Sequence, residues 1–505
     1  MRIGVDFGTT RVVVAAVDRG NFPLVYFETP DGQMRDWFPP VAAVRGSERR
    51  YGWEAIAVQD DDWTIVRSLK RWLRTAGPHT VLKVANQEVP LRILMAEMMS
   101  SLRLQLLQHS NLGADPDEHL EVMLGVPANA NSNQRFLTEE AANVAGFTVL
   151  GVMNEPSAAA IEFAYRNNAD RKNRAGAGLL VYDLGGGTFD VSLVTLGESE
   201  QVVVASDGIP SVGGEDFDEI LADLALQQAA PGVTLTQHER RLLLDECREK
   251  KESLNPNTRK LSIDLERVRP EWDQVTLPVE TYYEHCRPLI ESTRAVVENL
   301  LAAHSDCPLD TLYVTGGGSE LPSVSRILRE AFGRKVRRSA YMRSASAVGL
   351  AIRAAAGTHH LLEQFNQNFG MWREADSGGS IVFDLIFPRG IRLPAPGQPP
   401  LWLERVYQPA HNIGHFRYLE SSRLDDHGQP IGEIANWEQI QFPFDPTLWS
   451  QMDLAHEPVK PLSPANELKA REEYTCDASG NLRVKISILP SGMAREFAIG
   501  QVPNA

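Results

Sequence analysis

Cysteine is scarce in this sequence: Cys247, Cys286, Cys307 and Cys476 are the four in 505 residues. They lie far apart and make no CxxC pair, so neither a zinc ribbon nor a disulfide framework is indicated, and a reducing cytoplasm fits best. All four are expected as buried small apolar residues. Long hydrophobic runs are also lacking. Pieces such as "AVGLAI" at Ala347 to Ile352 fall far short of the roughly 20 apolar residues that span a bilayer. The start, "MRIGVDFGTT", enters a strand at once with no basic and apolar leader, and an unanchored cytoplasmic protein is expected. Positive charge is in deficit, with 50 Lys and Arg against 66 Asp and Glu and a formal net charge of -16. The summed field repels nucleic acid and anionic membrane, so neither is expected as a partner. Histidines show no cluster at metal-ligand spacing; His359 and His360 are adjacent but fall in a connecting segment.

What is present is ordinary for a globular chain of several domains: 43% hydrophobic and 23% charged residues. Through residue 357, short β-branched strands alternate with longer amphipathic segments, which predicts an α/β fold. From residue 370 the texture changes to short strand-like runs with turn residues between them, among them "IVFDLIFPRGIRLP", "HFRYLESSRL" and "NLRVKISIL". This predicts an all-β unit over 370–505, joined to the first part by the linker 358–369, "THHLLEQFNQNF". "DASGN" at Asp477 to Asn481 reads as a hairpin turn.

A weak internal repeat stands out in the first part. "IGVDFGTT" (Ile3 to Thr10) and "LVYDLGGGTFD" (Leu180 to Asp190) both read strand, aspartate, glycine turn, threonine, and predict two related lobes with a cleft between them. A third glycine turn, "LYVTGGGSELP", follows another strand. Backbone N–H groups hold a phosphate chain at close range only where side chains do not block the approach. Gly8, Gly185, Gly186 and Gly187 clear that approach, and the hydroxyls of Thr9, Thr10 and Thr188 add donors. Asp6 and Asp183, ending their strands, sit where a magnesium ion on the phosphates needs acidic support, largely through water. Asp190 adds a carboxylate at the same cleft. Hydrolysis further needs a positioned water and a positive charge. Lys70 in "RSLKRWLR" is the candidate cation, and Glu155, opening the helix of "NEPSAAAIEFAY", the candidate for metal or water positioning. Each feature alone has a plain reading: a loop, a solvated basic helix face, a helix-start acid favoured by the macrodipole. Their joint occurrence in this order is what points to nucleotide chemistry.

These motifs, with "LKRWL", "VPANANSNQR", "GGEDFDEIL", "YVTGGGSELPSV" and "AVGLAI", resemble the actin-like ATPase superfamily and, within it, the 70-kDa heat-shock chaperone family of DnaK-like proteins. The resemblance implies a two-lobed, four-subdomain actin-like ATPase that binds ATP or ADP with magnesium. It implies a first phosphate loop of Asp6, Gly8, Thr9 and Thr10, and a second of Asp183, Gly185, Gly186, Gly187, Thr188 and Asp190. Lys70 and Glu155 match the hydrolytic lysine and glutamate. Gly213, Gly214 and Glu215 match a glycine pair and acid at the nucleotide edge, Lys251 a ribose contact, and Gly316 and Gly317 the adenosine-side turn. Pro127 and Arg135 match a conformational relay. More faintly, the all-β part resembles the family's peptide-binding β-sandwich.

Departures concentrate at the base end. Arg248 stands where the family has a carboxylate, Glu320 where an arginine stacks on adenine, and Arg343 where an aspartate is usual. The family's acidic-leucine linker is replaced by "HHLLEQFNQNF", and no helical lid follows the sandwich in this sequence. The expected function is a slow ATPase with nucleotide-gated binding of peptide or protein clients, with a J-domain co-chaperone or exchange factor as possible partners. The alternatives are an adaptor or scaffold with one dedicated partner, in which ATP sets conformation only, and a small-molecule kinase of the same superfamily.

Overall fold

Strands buried on both faces read as continuous apolar runs, and those covered on one face alternate. Both kinds occur in this molecule and divide it. The computed structural model describes residues 1–58, 62–84, 86–167, 176–197, 200–355, 360–375, 380–395, 397–451, 453–463 and 468–498.

The two aspartate-glycine hairpins seed two sheets of matching topology. In the first lobe the order is Thr148–Asn154, Glu121–Val126, Arg2–Phe7, Val12–Ala16, and in the second Val336–Arg338, Leu309–Thr315, Gly178–Leu184, Phe189–Leu196, followed by Glu200–Ile209 and His360–Leu362. In each lobe the hairpin is antiparallel while the strand on its other side runs parallel to it. The repeat read in the sequence is therefore a repeat of architecture. Leu179, Leu180, Val181 and Tyr182 are all fully buried.

Two helices, Glu155–Arg166 and Ala345–Ala354, lie between the sheets. Their small residues Ala158, Ala159, Ala160, Ala345 and Ala347 join residues of both sheets in one apolar cluster. Backbone approaches backbone here: a Cβ on Gly349 would fall 1.8 Å from the Ala158 carbonyl oxygen, and one on Gly4 2.3 Å from the Ala351 nitrogen. The four cysteines are buried thiols without disulfide bonds. No helix among the described residues is long and apolar enough to cross a membrane.

Beyond the lobes, two four-stranded antiparallel sheets form a β-sandwich. One is ordered Ser380–Phe387, Asn368–Ala375, Ile413–Leu424, Pro430–Pro443, the other Leu401–Tyr407, Lys469–Cys476, Leu482–Leu489, Ala494–Ala498. Lys469–Cys476 alternates between outward and buried residues, as a strand covered on one face should. Phe369, Tyr418, Trp437, Phe442, Tyr474, Val484 and Ile486 fill the core. The turn at Asp477 to Asn481 closes on a 3.1 Å backbone hydrogen bond, with Asp477 Oδ1 accepting from Ser479 and Asn481.

The sandwich is docked on the lobes. In the segment expected to link the two parts, residues 358–359 lie outside the described residues, and His360–Leu362 adds a parallel edge strand against Glu200–Val202 of the second lobe. Glu363 accepts from the Asn154 backbone at 2.9 Å, Asn366 donates to the Ala128 carbonyl, and Gln367 donates to that of Asn129 at 3.2 Å. From the sandwich proper, Arg389 Nη2 donates to the Ser206 carbonyl at 2.6 Å, and Arg74 pairs with Glu433 at 2.6 Å.

Glu420 is a buried carboxylate at this junction. Its carboxylate faces the N-terminus of helix Ser132–Val144 and accepts from the Ser132 backbone at 2.9 Å and from the Ser132 hydroxyl. Burial pushes its pKa up to about 7, against the Ser132 hydrogen bonds and the Arg135 charge, which favour the ionised form. The folded protein thus keeps this proton longer than the unfolded chain does. The associated stability is complete below the ordinary value of 4.5 and is lost as pH rises through about 7. Between roughly pH 4.5 and pH 7.5 the wild type is expected to lose on the order of 3 kcal/mol from this group. Denaturant unfolding across that range should show the loss, and Glu420→Gln should be flatter by that amount. Parallel pH profiles for the two proteins would contradict the assignment.

Candidate functional site

The first hairpin turns at Gly8 to Thr10 and the second at Gly185 to Thr188, where the Gly185 amide donates to the Thr188 carbonyl at 2.9 Å. The two turns face each other. A Cβ on Gly186 would lie 2.5 Å from Thr10 Oγ1, and one on Gly187 2.7 Å from Thr9 Oγ1. A Cβ on Gly8 would meet the Arg11 carbonyl at 2.4 Å. Side chains at Gly186 and Gly187 would force the two turns apart, and one at Gly8 would disrupt its own turn, which is the local reason for glycine.

Further turns pack onto this pair. Gly316, at φ +86°, backs onto the second hairpin, where a Cβ would come within 2.4 Å of Asp183 Oδ1. Helix Gly214–Ala229 begins against the same hairpin: the Gly214 amide donates to Gly185 at 2.9 Å and the Glu215 amide to Gly186 at 2.8 Å. Gly213 packs on the Gly186 carbonyl.

The sequence candidates converge on one cavity of 110 Å³, whose lining includes Asp6, Gly8, Thr9, Thr10, Lys70, Glu155, Asp183, Gly185, Gly186, Thr188, Gly214, Glu215, Lys251, Gly316 and Gly317. Of the candidates only Asp190, Gly187 and Gly213 stand behind that lining. Asp190 lies with Lys70 and Thr188 on an adjoining cavity of 500 Å³ that reaches Glu420 and Gln367. It accepts from the Ala128 amide at 2.8 Å.

Lys70 sits in a four-residue helix, Leu69–Trp72, entered through Ser68 at φ +56°. The basic run around it reads as a solvated helix face, yet Lys70 is only 6% exposed and pairs with the buried Glu155. Arg71 takes the surface role, donating to the Gly187 carbonyl at 3.2 Å and to Asp216 at 3.1 Å. Ser68 donates to Glu215 at 2.6 Å.

One ammonium thus faces four carboxylates, and the electrostatics follow. Burial, then the Glu155 charge, push Asp6 up to about 7 against the pull of Lys70. Burial followed by Glu155 brings Asp190 to about 6. Asp183 is held well above the usual range by burial, Glu155, Asp6 and Asp190. Burial works against the charge of Lys70, but Glu155 and Asp6 outweigh it and its pKa is raised. Buried acid in excess is the chemistry of a site that receives positive charge. Among the described residues no three histidine, cysteine, aspartate or glutamate groups gather tightly enough to ligate a metal directly. The acids fit outer support of a cation better than direct ligation.

At the other end of the cleft, Lys251 donates to the Gly214 carbonyl and to Asp218, each at 2.6 Å. Arg248 pairs with the same Asp218 at 3.2 Å. Asp218, nearly fully buried, is the carboxylate on which both cations converge. Sequence reasoning missed it, along with Arg11 and Glu252, which form a 2.6 Å ion pair between the lobes. The only available signal for Asp218 was its place one helical turn after Gly214. Pro127 and Arg135 belong to the loop and helix beneath the sandwich, where Arg135 donates to the Ser479 carbonyl at 3.1 Å and to Asn154.

Two topologically matched lobes, with facing glycine turns and a buried acid-lysine group between them, make this an actin-like nucleotide-binding fold. The family model described as Hsp70 protein matches residues 2–362. The chain belongs to the Hsp70 family. Among its curated relatives is the chaperone protein HscA homolog of Ralstonia nicotianae, 31% identical over 357 residues that cover 66% of this chain and 54% of the relative. The homolog from Methylibium petroleiphilum is 31% identical over 384 residues, covering 70% of this chain and 57% of the relative. That from Tolumonas auensis is 30% identical over 376 residues, with the same two coverages. The chain therefore spans a little over half the length of these relatives.

Proposed function

We propose that the chain binds magnesium–ATP between the lobes, hydrolyses it slowly to ADP and phosphate, and uses nucleotide state to gate peptide or protein clients on the β-sandwich. In this reading residues 1–357 form the ATPase unit, 358–369 the connection and 370–505 the client-binding unit. The observation that carries it is the pair of facing turns with Asp6 and Asp183 at their bases.

Backbone amides of the turns and the hydroxyls of Thr9, Thr10 and Thr188 would hold the phosphate chain. A magnesium ion, when bound, would neutralise phosphate charge, with Asp6 and Asp183 supporting it largely through water. Lys70 would offset charge developing on the terminal phosphate, and Glu155 fixes that ammonium and orients water. Asp190 lines the adjoining cavity together with Lys70 and Thr188 and accepts from the Ala128 amide. The Ala128 carbonyl in turn accepts from Asn366, so two hydrogen bonds lead from Asp190 to the connecting segment that precedes the client-binding unit. A J-domain co-chaperone and an exchange factor are the partners this scheme would use, in the cytoplasm.

A second reading, an adaptor in which ATP sets conformation only, is favoured by the altered base end, where Arg248 and Arg343 are tied up in ion pairs. Calorimetry with magnesium–ATP tests the shared premise. Binding heat that disappears in Asp6→Asn supports it, and no heat with any purine nucleotide overturns it. Turnover separates the readings, and co-purification of a single stoichiometric protein marks the adaptor.

A further inference from the structure

Four charged side chains run across the mouth of the cleft from one lobe to the other. Arg11, just beyond the first glycine turn, donates to Glu252 at 2.6 Å. Glu252, at the end of helix Gln237–Glu252, also accepts from Arg343 Nη1 at 3.1 Å. Arg343 Nε donates to Glu320 at 2.8 Å, and its Nη2 donates to the same carboxylate oxygen. The two glutamates thus engage three of the five N–H donors of the Arg343 guanidinium. Glu320 is half-buried, and burial followed by the nearby Glu252 charge holds its carboxyl above the usual range.

This row stands between two cavities. On one side is the 110 Å³ phosphate cavity, and on the other a cavity of 760 Å³ lined in part by Leu254, Asn255, Tyr283 and Pro322. The two share Lys251, Glu252, Gly317, Gly318 and Arg343 in their linings. A molecule with phosphates in the first cavity and a nucleoside in the second must pass Arg343. A neutral base or ribose brings no charge to replace those that Glu252 and Glu320 give up on separation.

We propose that Arg343, pinned by Glu252 and Glu320, is a latch between the two cavities that sets nucleotide specificity: the chain recognises the triphosphate tail and takes little binding energy from the base. The inference rests on the glycine turns being the phosphate site. It predicts weak discrimination between adenine and guanine nucleotides, because the groups that would read a base edge are paired with each other.

The test is calorimetric titration of the full chain, wild type and Arg343→Ala, with the magnesium complexes of ATP, GTP and inorganic tripolyphosphate. In the wild type the three affinities should agree within about tenfold. In Arg343→Ala the ratio of ATP to tripolyphosphate affinity should rise by about tenfold, the scale of losing two partly exposed ion pairs that otherwise have to be broken. The ratio cancels the general effect of removing one positive charge near a phosphate. Glu320→Gln frees the same guanidinium from its other side and should move the ratio in the same direction, should the first variant fold poorly. A wild-type preference for ATP above about tenfold, or a ratio that is unchanged or lower in the variants, overturns the latch while leaving the phosphate site standing. Absence of binding by all three ligands, tripolyphosphate included, overturns both.

Discussion

Replacing Lys70 with alanine is expected to abolish ATP turnover while leaving magnesium–nucleotide binding measurable. Lys70 is the cation whose charge acts on Asp6, Asp183 and Asp190 and which pairs with Glu155 in the buried group. Its contribution to binding is small, because its charge is already satisfied by Glu155 in the resting protein. Its contribution to hydrolysis is expected to be large, because its ammonium is held among the buried carboxylates, where charge developing on the transferred group would meet it. The loss in kcat should be at least on the order of 10²–10³. Nucleotide affinity should change by no more than about tenfold, since magnesium neutralises much of the excess acid on binding. The variant also leaves Glu155 buried without its partner, which costs about 3–5 kcal/mol in comparable pairs. The unliganded variant should therefore melt early and recover part of its stability on adding magnesium–ATP. Single-turnover kinetics and calorimetry on the same preparation decide the matter: parallel losses of binding and turnover would make Lys70 a binding residue and remove it from the hydrolytic role.

The second large effect lies away from the chemistry. Gly349→Ala should unfold or misassemble the lobes, because its Cβ would stand 1.8 Å from the Ala158 carbonyl where helices Glu155–Arg166 and Ala345–Ala354 touch. No rotamer relieves a clash between two backbones, and the helices would have to separate along the seam that joins both sheets. We expect a loss of more than about 3 kcal/mol, and a melting midpoint lower by on the order of 10 °C. Gly77→Ala is the matched control: its Cβ would meet nothing closer than the Asn133 side-chain nitrogen at 4.0 Å. Indistinguishable melting curves for Gly349→Ala and wild type would show that the seam yields easily, and with it the account of how the lobes are joined.

The legible parts of this molecule are the ones whose physical requirement is local. A turn that must be bare declares itself in consecutive glycines, and the two hairpins, the third glycine turn and the helix beginning at Glu155 could all be placed from a few adjacent residues. The alternation of Lys469–Cys476 and the Asp477 turn were readable for the same reason. What sequence reading could not supply depends on partners far away along the chain. The burial of Lys70 depends on Glu155, 85 residues on, and without it the basic run reads as solvated. Arg248 reads as the wrong charge until Asp218, 30 residues earlier, is seen beside it. Glu420 finds Ser132 across 288 residues, so nothing near it in the chain marks it as a helix-start acid for another domain. The connecting segment "THHLLEQFNQNF" reads as a joint, and the pairing of its residues 360–362 with Glu200–Val202 depends on a strand some 160 residues earlier in the chain.

That edge strand governs what happens when the two parts of the molecule separate. His360–Leu362 occupies the hydrogen-bonding groups of Glu200–Val202, which would otherwise be the open margin of the second lobe's sheet. Peeling the strand away would leave a row of unpaired amides and carbonyls, a template on which another polypeptide can align. The three paired residues thus cover the start of the ten-residue strand Glu200–Ile209, and their release would lengthen the margin open to such pairing.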